Sequence, residues 1–166
     1  KTGVFPDPGT MDTAHVAQVS FGQGQLLVSP FEMALVASGI ANGGRIMAPY
    51  LVEEIRDYRG SVIEKTRPRV WRQAISEDTA AVLKDLMVRV VAEGTGTNAA
   101  ISGVNVAGKT GTAEVDEGET HAWFIGFAPA EAPRVAVAVI VENAGTGGAI
   151  AAPVAKRVME TALGRR

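Results

Sequence analysis

The sequence contains no cysteine and only two histidines in 166 residues, and aromatic residues make up 5% of it. The absence of cysteine excludes disulfides and thiolate metal sites. His15 and His121 are too few and too isolated to suggest a metal site, and His121, at the start of a predicted strand, is interpreted as a structural or rim residue. No run reaches the roughly 18 consecutive apolar residues of a membrane-spanning helix.

Neither sign of charge predominates, because the 16 Lys and Arg residues nearly balance the 18 Asp and Glu residues and the net charge is −2. The basic residues are interspersed and form no stripe, so the electrostatic footprint of a nucleic-acid-binding protein is absent. What is present is 46% hydrophobic and 20% charged residues, as in a packed globular domain. The first residue is a lysine in a Gly/Pro-rich stretch, Lys1–Thr10, which suggests a fragment or processed product of a longer protein.

A capping box predicts the start of one helix at Ser29-Pro30-Phe31-Glu32. In this motif the Ser29 side chain accepts from the backbone N–H of the third helical residue, and the Glu32 side chain reaches back to the backbone N–H of Ser29. Asn42-Gly43-Gly44 ends that helix. Residues 31–40 are almost all apolar or small, which predicts a core helix.

Two amphipathic helices follow later in the chain. Ser76 caps the first of them, which runs to Gly94–Thr97. Its predicted buried face is Leu83, Leu86, Met87, Val90 and Val91. The second is the last helix of the chain, with Ala151, Val154, Ala155, Val158, Met159 and Ala162 on its apolar face.

The order of helices and strands predicts an α+β fold, with no domain boundary within residues 1–166, which are expected to be the C-terminal part of one domain. Residues 46–63 predict two short strands joined by a turn at Asp57–Gly60. Residues 104–115, 121–128 and 134–141 predict three antiparallel neighbours in one sheet. The last of these is apolar on both faces, so helices should lie on both sides of the sheet. Its long apolar edge should stay unpaired unless a segment outside this sequence adds strands beside it.

The segment Lys109-Thr110-Gly111-Thr112 combines one cation with two hydroxyls around a glycine, which suits it to holding a carboxylate. On a strand, Lys109 and Gly111 face one side while Thr110 and Thr112 face the other, so spacing alone does not bring the side chains together. The glycine allows a ligand backbone to lie against the strand. An isolated Lys-Thr-Gly is more typical of a solvated strand beside a glycine kink.

Two motifs that accompany Lys-Thr-Gly in acyl-serine enzymes are missing. They are Ser-x-x-Lys, which carries the nucleophile, and a second serine motif of the Ser-Asp-Asn type. No serine has a lysine three residues later or an asparagine two residues later; the serines are Ser20, Ser29, Ser38, Ser61, Ser76 and Ser102. The nucleophile should therefore lie outside this chain, and we expect the chain alone to be chemically inert.

Five segments occur in the order and approximate spacing of class B penicillin-binding protein transpeptidase domains. They are Ser20–Pro30 (SFGQGQLLVSP), Ala41–Gly44 (ANGG), Gly94–Thr97 (GTGT), Ala107–Ala113 (AGKTGTA) and Ala122–Pro129 (AWFIGFAP). The resemblance covers nearly the whole chain. It is strongest to the cell-division and elongation transpeptidases of this class, particularly the actinobacterial penicillin-binding protein A type.

This resemblance implies the C-terminal part of a penicillin-binding protein or serine β-lactamase-like fold, with an antiparallel sheet between helical layers. It also implies roles for the motif. Lys109 holds the substrate or penicillin carboxylate and tunes the proton network, while Thr110 and Thr112 hydrogen-bond the same carboxylate. The backbone amide of Thr112 forms half of the oxyanion hole, and Gly111 keeps the strand open. No cofactor and no metal are implied.

The implied activity is that of a peptidoglycan D,D-transpeptidase, at the extracytoplasmic face of the bacterial membrane and with any anchor outside this chain. The implied partners are peptidoglycan stem peptides, β-lactams, the missing N-terminal part of the same protein, and other cell-wall or division proteins, but no nucleic acid. Two alternatives stay open. One is a non-catalytic sensor or scaffold that binds stem peptides or β-lactams, and the other is a D,D-carboxypeptidase or β-lactamase of the same fold.

Three further segments receive structural interpretations. Gly94–Thr97 resembles a phosphate loop but follows a helix rather than opening one, so it is interpreted as a helix end and loop. Trp123 and Phe124 are interpreted as core residues. Asp116–Glu119 is interpreted as a solvated hairpin tip, with recognition of the acceptor strand as the alternative.

Overall fold

A computed structural model describes residues 3–115 and 118–165 of the chain. The helices are α1 Thr13–Ser20, α2 Pro30–Ala41, α3 Glu77–Ala92 and α4 Ala151–Ala162. The strands are β1 Arg45–Met47, β2 Glu54–Arg56, β3 Val62–Lys65, β4 Val70–Gln73, β5 Ala107–Ala113, β6 His121–Ala128 and β7 Val135–Val141. Short 3-10 turns lie at Pro8–Thr10 and Thr97–Ala99. This mixture of helices and antiparallel strands confirms the predicted α+β class.

The central sheet consists of β5, β6 and β7 in that order, with both pairings antiparallel. Lys109 lies opposite Ile125, which in turn lies opposite Ala138. The three predicted neighbouring strands are thus confirmed. β5 is shorter than predicted at its start, because Val104 pairs with Ile101 in an isolated bridge instead. Within the described residues β7 pairs with β6 alone, so its other side is an edge.

Helices lie on both faces of this sheet, as the apolar β7 pattern predicts. On one face, the buried residues Phe124 and Val137 share a core with Ala155 and Met159 of α4. On the other face, Phe127 packs with Met87 of α3 and with the end of α2. Phe124, Phe127 and Met159 are the largest fully buried side chains. The sheet therefore holds β5 rigidly between two apolar layers.

The prediction that α2 is a core helix is wrong for this chain. The capping box at Ser29 and Glu32 and the cap at Asn42 are present as predicted. However, Ala37 and Gly39 alone are buried on this helix, while Phe31 is 59% exposed and Val36 is also exposed. The sheet contacts one side of α2, and among the described residues nothing covers its outer side.

The predicted faces of α3 and α4 need the same correction. On α3, Met87 and Val91 are buried as predicted, but Leu86 is exposed and Ala80 is buried instead. On α4 the predicted positions Val154 and Val158 are exposed, as is Ala162. The buried residues of α4 are Ala151, Ala152, Ala155 and Met159. Apart from Met159, the residues of α4 that face the sheet are alanines, which permit close packing, and the valines lie on the outer side.

The predicted hairpin of residues 46–63 is confirmed only in its second half. β2 and β3 are antiparallel around Asp57–Gly60, where Asp57 Oδ1 accepts from Arg59 N at 2.8 Å and from Ser61 N at 2.9 Å. The first half of the segment instead contains β1, which pairs with β4, a strand that the pattern did not predict. Among the described residues, no helix has the length and apolarity needed to cross a membrane.

Glu32 ties the beginning of the described chain to α2. Its carboxylate accepts from Gly3 N at 2.8 Å and from Ser29 N and Oγ at 2.8 and 2.9 Å. Val4 and Leu27 extend this contact through a two-way backbone bridge. The Ser29 N–H, followed by the Gly3 N–H, holds the pKa of Glu32 below its ordinary value of 4.5.

We expect the stabilisation from Glu32 to disappear in acid. Its pKa is lower in the folded state than in the unfolded chain, so the stabilising effect is present above the ordinary pKa of 4.5 and is lost as the pH falls through the folded-state pKa. Glu32→Gln should therefore unfold at a lower temperature than wild type at pH 7, and the difference between the two melting temperatures should shrink as the pH falls through the folded-state pKa of Glu32. The exposed Glu64→Gln is the control. A difference as large at pH 3 as at pH 7 would contradict this expectation.

Candidate functional site

A cleft of about 520 Å³ lies between β5 and the segment that joins α1 to α2. Residues 21–24 and 26–28 form one wall, Lys109–Val115 form the opposite wall, and residues of β6 close the floor. Lys109 is the one lysine or arginine among the described residues that line this cleft, and Glu114 and Glu142 lie at its far end. The Lys-Thr-Gly segment thus faces an open space that could accommodate a small ligand.

The two faces of β5 have different surroundings. Lys109 is exposed, whereas the side chain of Thr110 is buried, with 8% of the residue exposed. The Thr110 hydroxyl lies 2.6 Å from the hydroxyl of Thr95. Lys109 and Thr110 therefore project to opposite sides, as strand alternation predicts. The role of Thr110 in holding a carboxylate stays a prediction.

Thr95 is a site residue that the sequence analysis missed. It lies just after α3, which ends at the Gly94–Thr97 loop as predicted. The loop packs tightly behind the cleft, because a Cβ on Gly148 would lie 2.4 Å from Thr95 O. Asn98 Nδ2 adds a 2.9 Å bond to Gly148 O. The predicted loop is therefore the rear support of Thr110 rather than a phosphate site.

The backbone N–H and C=O groups of successive β5 residues point alternately toward β6 and toward the cleft. Just before β5, Asn105 O accepts from Ala130 N at 2.8 Å, on the β6 side. Thr112 O instead accepts from Gln23 Nε2 at 3.2 Å, on the cleft side. A residue in an antiparallel strand directs its N–H and C=O to the same side. The Thr112 N–H therefore faces the cleft, which is the direction that its expected oxyanion role requires.

Lys109 turns back onto its own strand. Its Nζ donates to Thr110 O, which is on the same side of β5 as Thr112 O by strand alternation. The ammonium group therefore remains beside the cleft edge of the strand, within the cleft lining. A carboxylate entering there would meet a cation and an outward-facing backbone N–H, which is a favourable arrangement for an anion.

Glycines allow the site to be this compact. A Cβ on Gly111 would lie 3.1 Å from Trp123 Cβ, and a Cβ on Gly147 would lie 2.1 Å from Trp123 O and 2.4 Å from Gly111 O. The loop that follows β7 thus packs its backbone directly against the Gly111–Trp123 pair. The expected function of Gly111 in admitting a ligand stays a prediction, and close packing supplies a second reason for a glycine there.

His121 lies at the rim of the cleft, as the sequence analysis interpreted it. His121 Nδ1 accepts from Asn143 N at 3.1 Å at the rim of the cleft, so the proton of the neutral ring lies on Nε2. His15 lies on α1 beside Asp12. Among residues 3–115 and 118–165, no group of three or more His, Cys, Asp or Glu residues could hold a metal ion. Asp116 and Glu117 of the predicted hairpin tip lie outside the described residues.

Comparison with known families places the chain clearly. The family described as the penicillin binding protein transpeptidase domain matches residues 2–160. The peptidoglycan D,D-transpeptidase PbpA of Mycolicibacterium smegmatis is 44% identical over 162 residues, which cover 92% of this chain and 33% of the relative. Stage V sporulation protein D of Bacillus subtilis is 40% identical over 173 residues, covering 98% of this chain and 27% of the relative. The chain thus spans between about a quarter and a third of the length of these curated relatives.

Solved structures give the same result. A penicillin-binding protein A from M. tuberculosis, in a ceftriaxone acyl-enzyme complex, superposes with a TM-score of 0.87 at 42% identity. The match covers 95% of this chain and 37% of that chain. The penicillin G acyl-enzyme complex of the same protein gives a TM-score of 0.84 at 41% identity, covering 96% of this chain and 37% of that one.

We expect the Thr95 and Thr110 hydroxyls to be energetically coupled. Thr95→Val or Thr110→Val should each lower the free energy of unfolding by about 0.5–1.5 kcal/mol, because each leaves the other hydroxyl without its partner. The double variant should lose less unfolding free energy than the two single variants together, since it leaves no hydroxyl without its partner. Chemical denaturation of the four proteins measures this.

Thr161→Val serves as the control for that cycle, because its hydroxyl donates to Arg157 O on α4 and not to the cleft. Its effect should add to that of Thr110→Val. Strict additivity between Thr95→Val and Thr110→Val would show that the 2.6 Å contact contributes nothing to stability.

Proposed function

The chain belongs to the penicillin-binding protein transpeptidase domain family, and from that premise we propose that it is the C-terminal part of a peptidoglycan D,D-transpeptidase whose nucleophilic serine lies in another part of the same protein. One observation carries the proposal. The Lys-Thr-Gly-Thr strand lines the cleft, in a fold that matches a relative captured as an acyl-enzyme. The names of the relatives support the same reaction.

The proposed reaction has two steps. In the first, the serine Oγ of the complementary part attacks the penultimate D-alanyl carbonyl of a stem peptide; the Oγ–C bond forms, the C–N bond breaks, and D-alanine leaves with the serine proton. In the second step, an amine of a neighbouring strand attacks the ester, forms a new amide, and returns a proton to the serine. A β-lactam would acylate the same serine by opening its ring.

The residues of this chain would bind and polarise the substrate. The Lys109 ammonium would attract the terminal carboxylate of the stem peptide, with the Thr112 hydroxyl as a further donor. The Thr112 N–H would stabilise the oxyanion together with the N–H of the serine, and loss of one such donor typically lowers a rate by about 10²–10³. Thr110 would support the strand from behind through Thr95.

We also propose that the complete protein works at the extracytoplasmic face of the bacterial membrane, where its stem-peptide substrates lie. Any anchor would belong to a part of the protein outside these residues. Its partners would be stem peptides, β-lactams, and the part of the domain that carries the serine. Other cell-wall or division proteins are further proposed partners.

The complete protein should gain the mass of one penicillin G molecule when the two are mixed, and Lys109→Ala should slow that acylation. The expected loss is about 10- to 150-fold, because a hydrogen bond to a charged group contributes about 1.5–3 kcal/mol. Intact-mass spectrometry over time measures the rate. Lys156→Ala, which removes a lysine from the exposed side of α4, should acylate at the wild-type rate.

The alternatives give different products. A non-catalytic sensor or scaffold would gain no covalent mass from penicillin G. A D,D-carboxypeptidase or β-lactamase would release the acyl group to water, so donor and acceptor stem peptides together would yield hydrolysed donor rather than a cross-linked dimer. Formation of the dimer with release of D-alanine is the result expected here.

A further inference from the structure

Gln23 crosses the candidate cleft from a turn that is built to present it. The residue lies between Gly22 and Gly24, whose φ angles are +81° and +74°, values that a glycine adopts without strain. Its backbone N–H donates to Gln18 O at 2.9 Å, which anchors the turn to the end of α1. The side chain is thereby held over β5, 89 residues away in sequence.

The side-chain amide of Gln23 uses the acceptor that an added strand would use. An extended peptide that joins the free edge of β5 would donate a backbone N–H to an outward-facing carbonyl. Thr112 O is such a carbonyl, and Gln23 Nε2 already donates to it at 3.2 Å. A side-chain carboxamide carries the same N–H group as a peptide, so Gln23 imitates a ligand at this position.

The neighbouring outward-facing carbonyl is occupied in the same way. Lys109 Nζ donates to Thr110 O, so the two outward-facing carbonyls of the motif, Thr110 O and Thr112 O, both accept a hydrogen bond from a side chain of the same protein. An unpaired strand edge otherwise attracts other chains. Both contacts are made by side chains that can rotate away, and the contact of Gln23 is exposed to solvent. A ligand can therefore replace either of them.

We propose that Gln23 is a specificity-determining residue that occupies Thr112 O in the empty cleft and is displaced by ligands that bring an amide N–H to that carbonyl. The inference rests on the proposed function. A ligand N–H that takes the position of Gln23 Nε2 at Thr112 O must displace it, whereas ligands without such an N–H leave Gln23 in place. The residue therefore sets how strongly the cleft distinguishes these two ligand classes.

The test compares two β-lactams in the complete protein. Penicillin G carries an acylamino N–H beside its ring, and imipenem carries a hydroxyethyl group instead. In Gln23→Ala the competing donor is gone, and an exposed hydrogen bond of this kind contributes about 0.5–1.5 kcal/mol, so acylation by penicillin G should accelerate about two- to tenfold. Acylation by imipenem should stay at the wild-type rate.

Two variants distinguish this selective effect from a general disturbance of the segment that forms this side of the cleft. Gln23→Asn keeps the carboxamide but is one methylene too short to reach Thr112 O, so it should behave like Gln23→Ala. Gln25→Ala changes an exposed glutamine in the same segment and should behave like wild type. Equal changes for both drugs, or slower acylation by penicillin G, would overturn the inference while leaving the proposed function intact. No acylation of the wild-type protein by either drug would overturn both.

Discussion

The antiparallel pairing of β5 with β6 decides where every group of the candidate site points. With Gly111 fixed opposite Trp123, alternate residues of β5 turn their backbone groups toward β6 or toward the cleft. A shift of register by one residue would direct Thr112 into the sheet and remove both its N–H and its C=O from the cleft. It would also move Thr110 away from Thr95. The chemistry of the site therefore depends on the register of one strand pair.

That register is held by close backbone packing. A Cβ on Gly108 would lie 2.2 Å from the ring of Phe124, and a Cβ on Gly126 would lie 2.6 Å from Ala107 O. Gly147 meets the same strand pair from the loop after β7. Larger side chains at these positions would force the strands or the loop apart, because the packed interior cannot absorb such overlaps. The glycines of the motif region thus fix the position of the strand as well as leaving room for a ligand.

The sequence predicts those parts of the fold that have a local cause. The start of α2 follows from the capping box at Ser29, and the full length of β6 follows from its apolar pattern between two turn signals. The pairing of β1 with β4 was not predictable, since both strands are three or four residues long and β4 is exposed throughout. Thr95 and Gln23 were missed for a related reason. Their hydrogen bonds span 15 and 89 residues and leave no periodic signal.

Most of the errors about burial are apolar residues that were predicted to be buried and are exposed, and these errors bear on the proposed function. Phe31 and Val158 were predicted to be buried and are exposed. An apolar pattern predicts that a residue is buried by any neighbour, including another segment or partner, whereas the structure shows burial within this chain alone. An apolar helix face of this kind needs a second layer to cover it. In the proposed function, the part of the protein that carries the serine would supply such a layer.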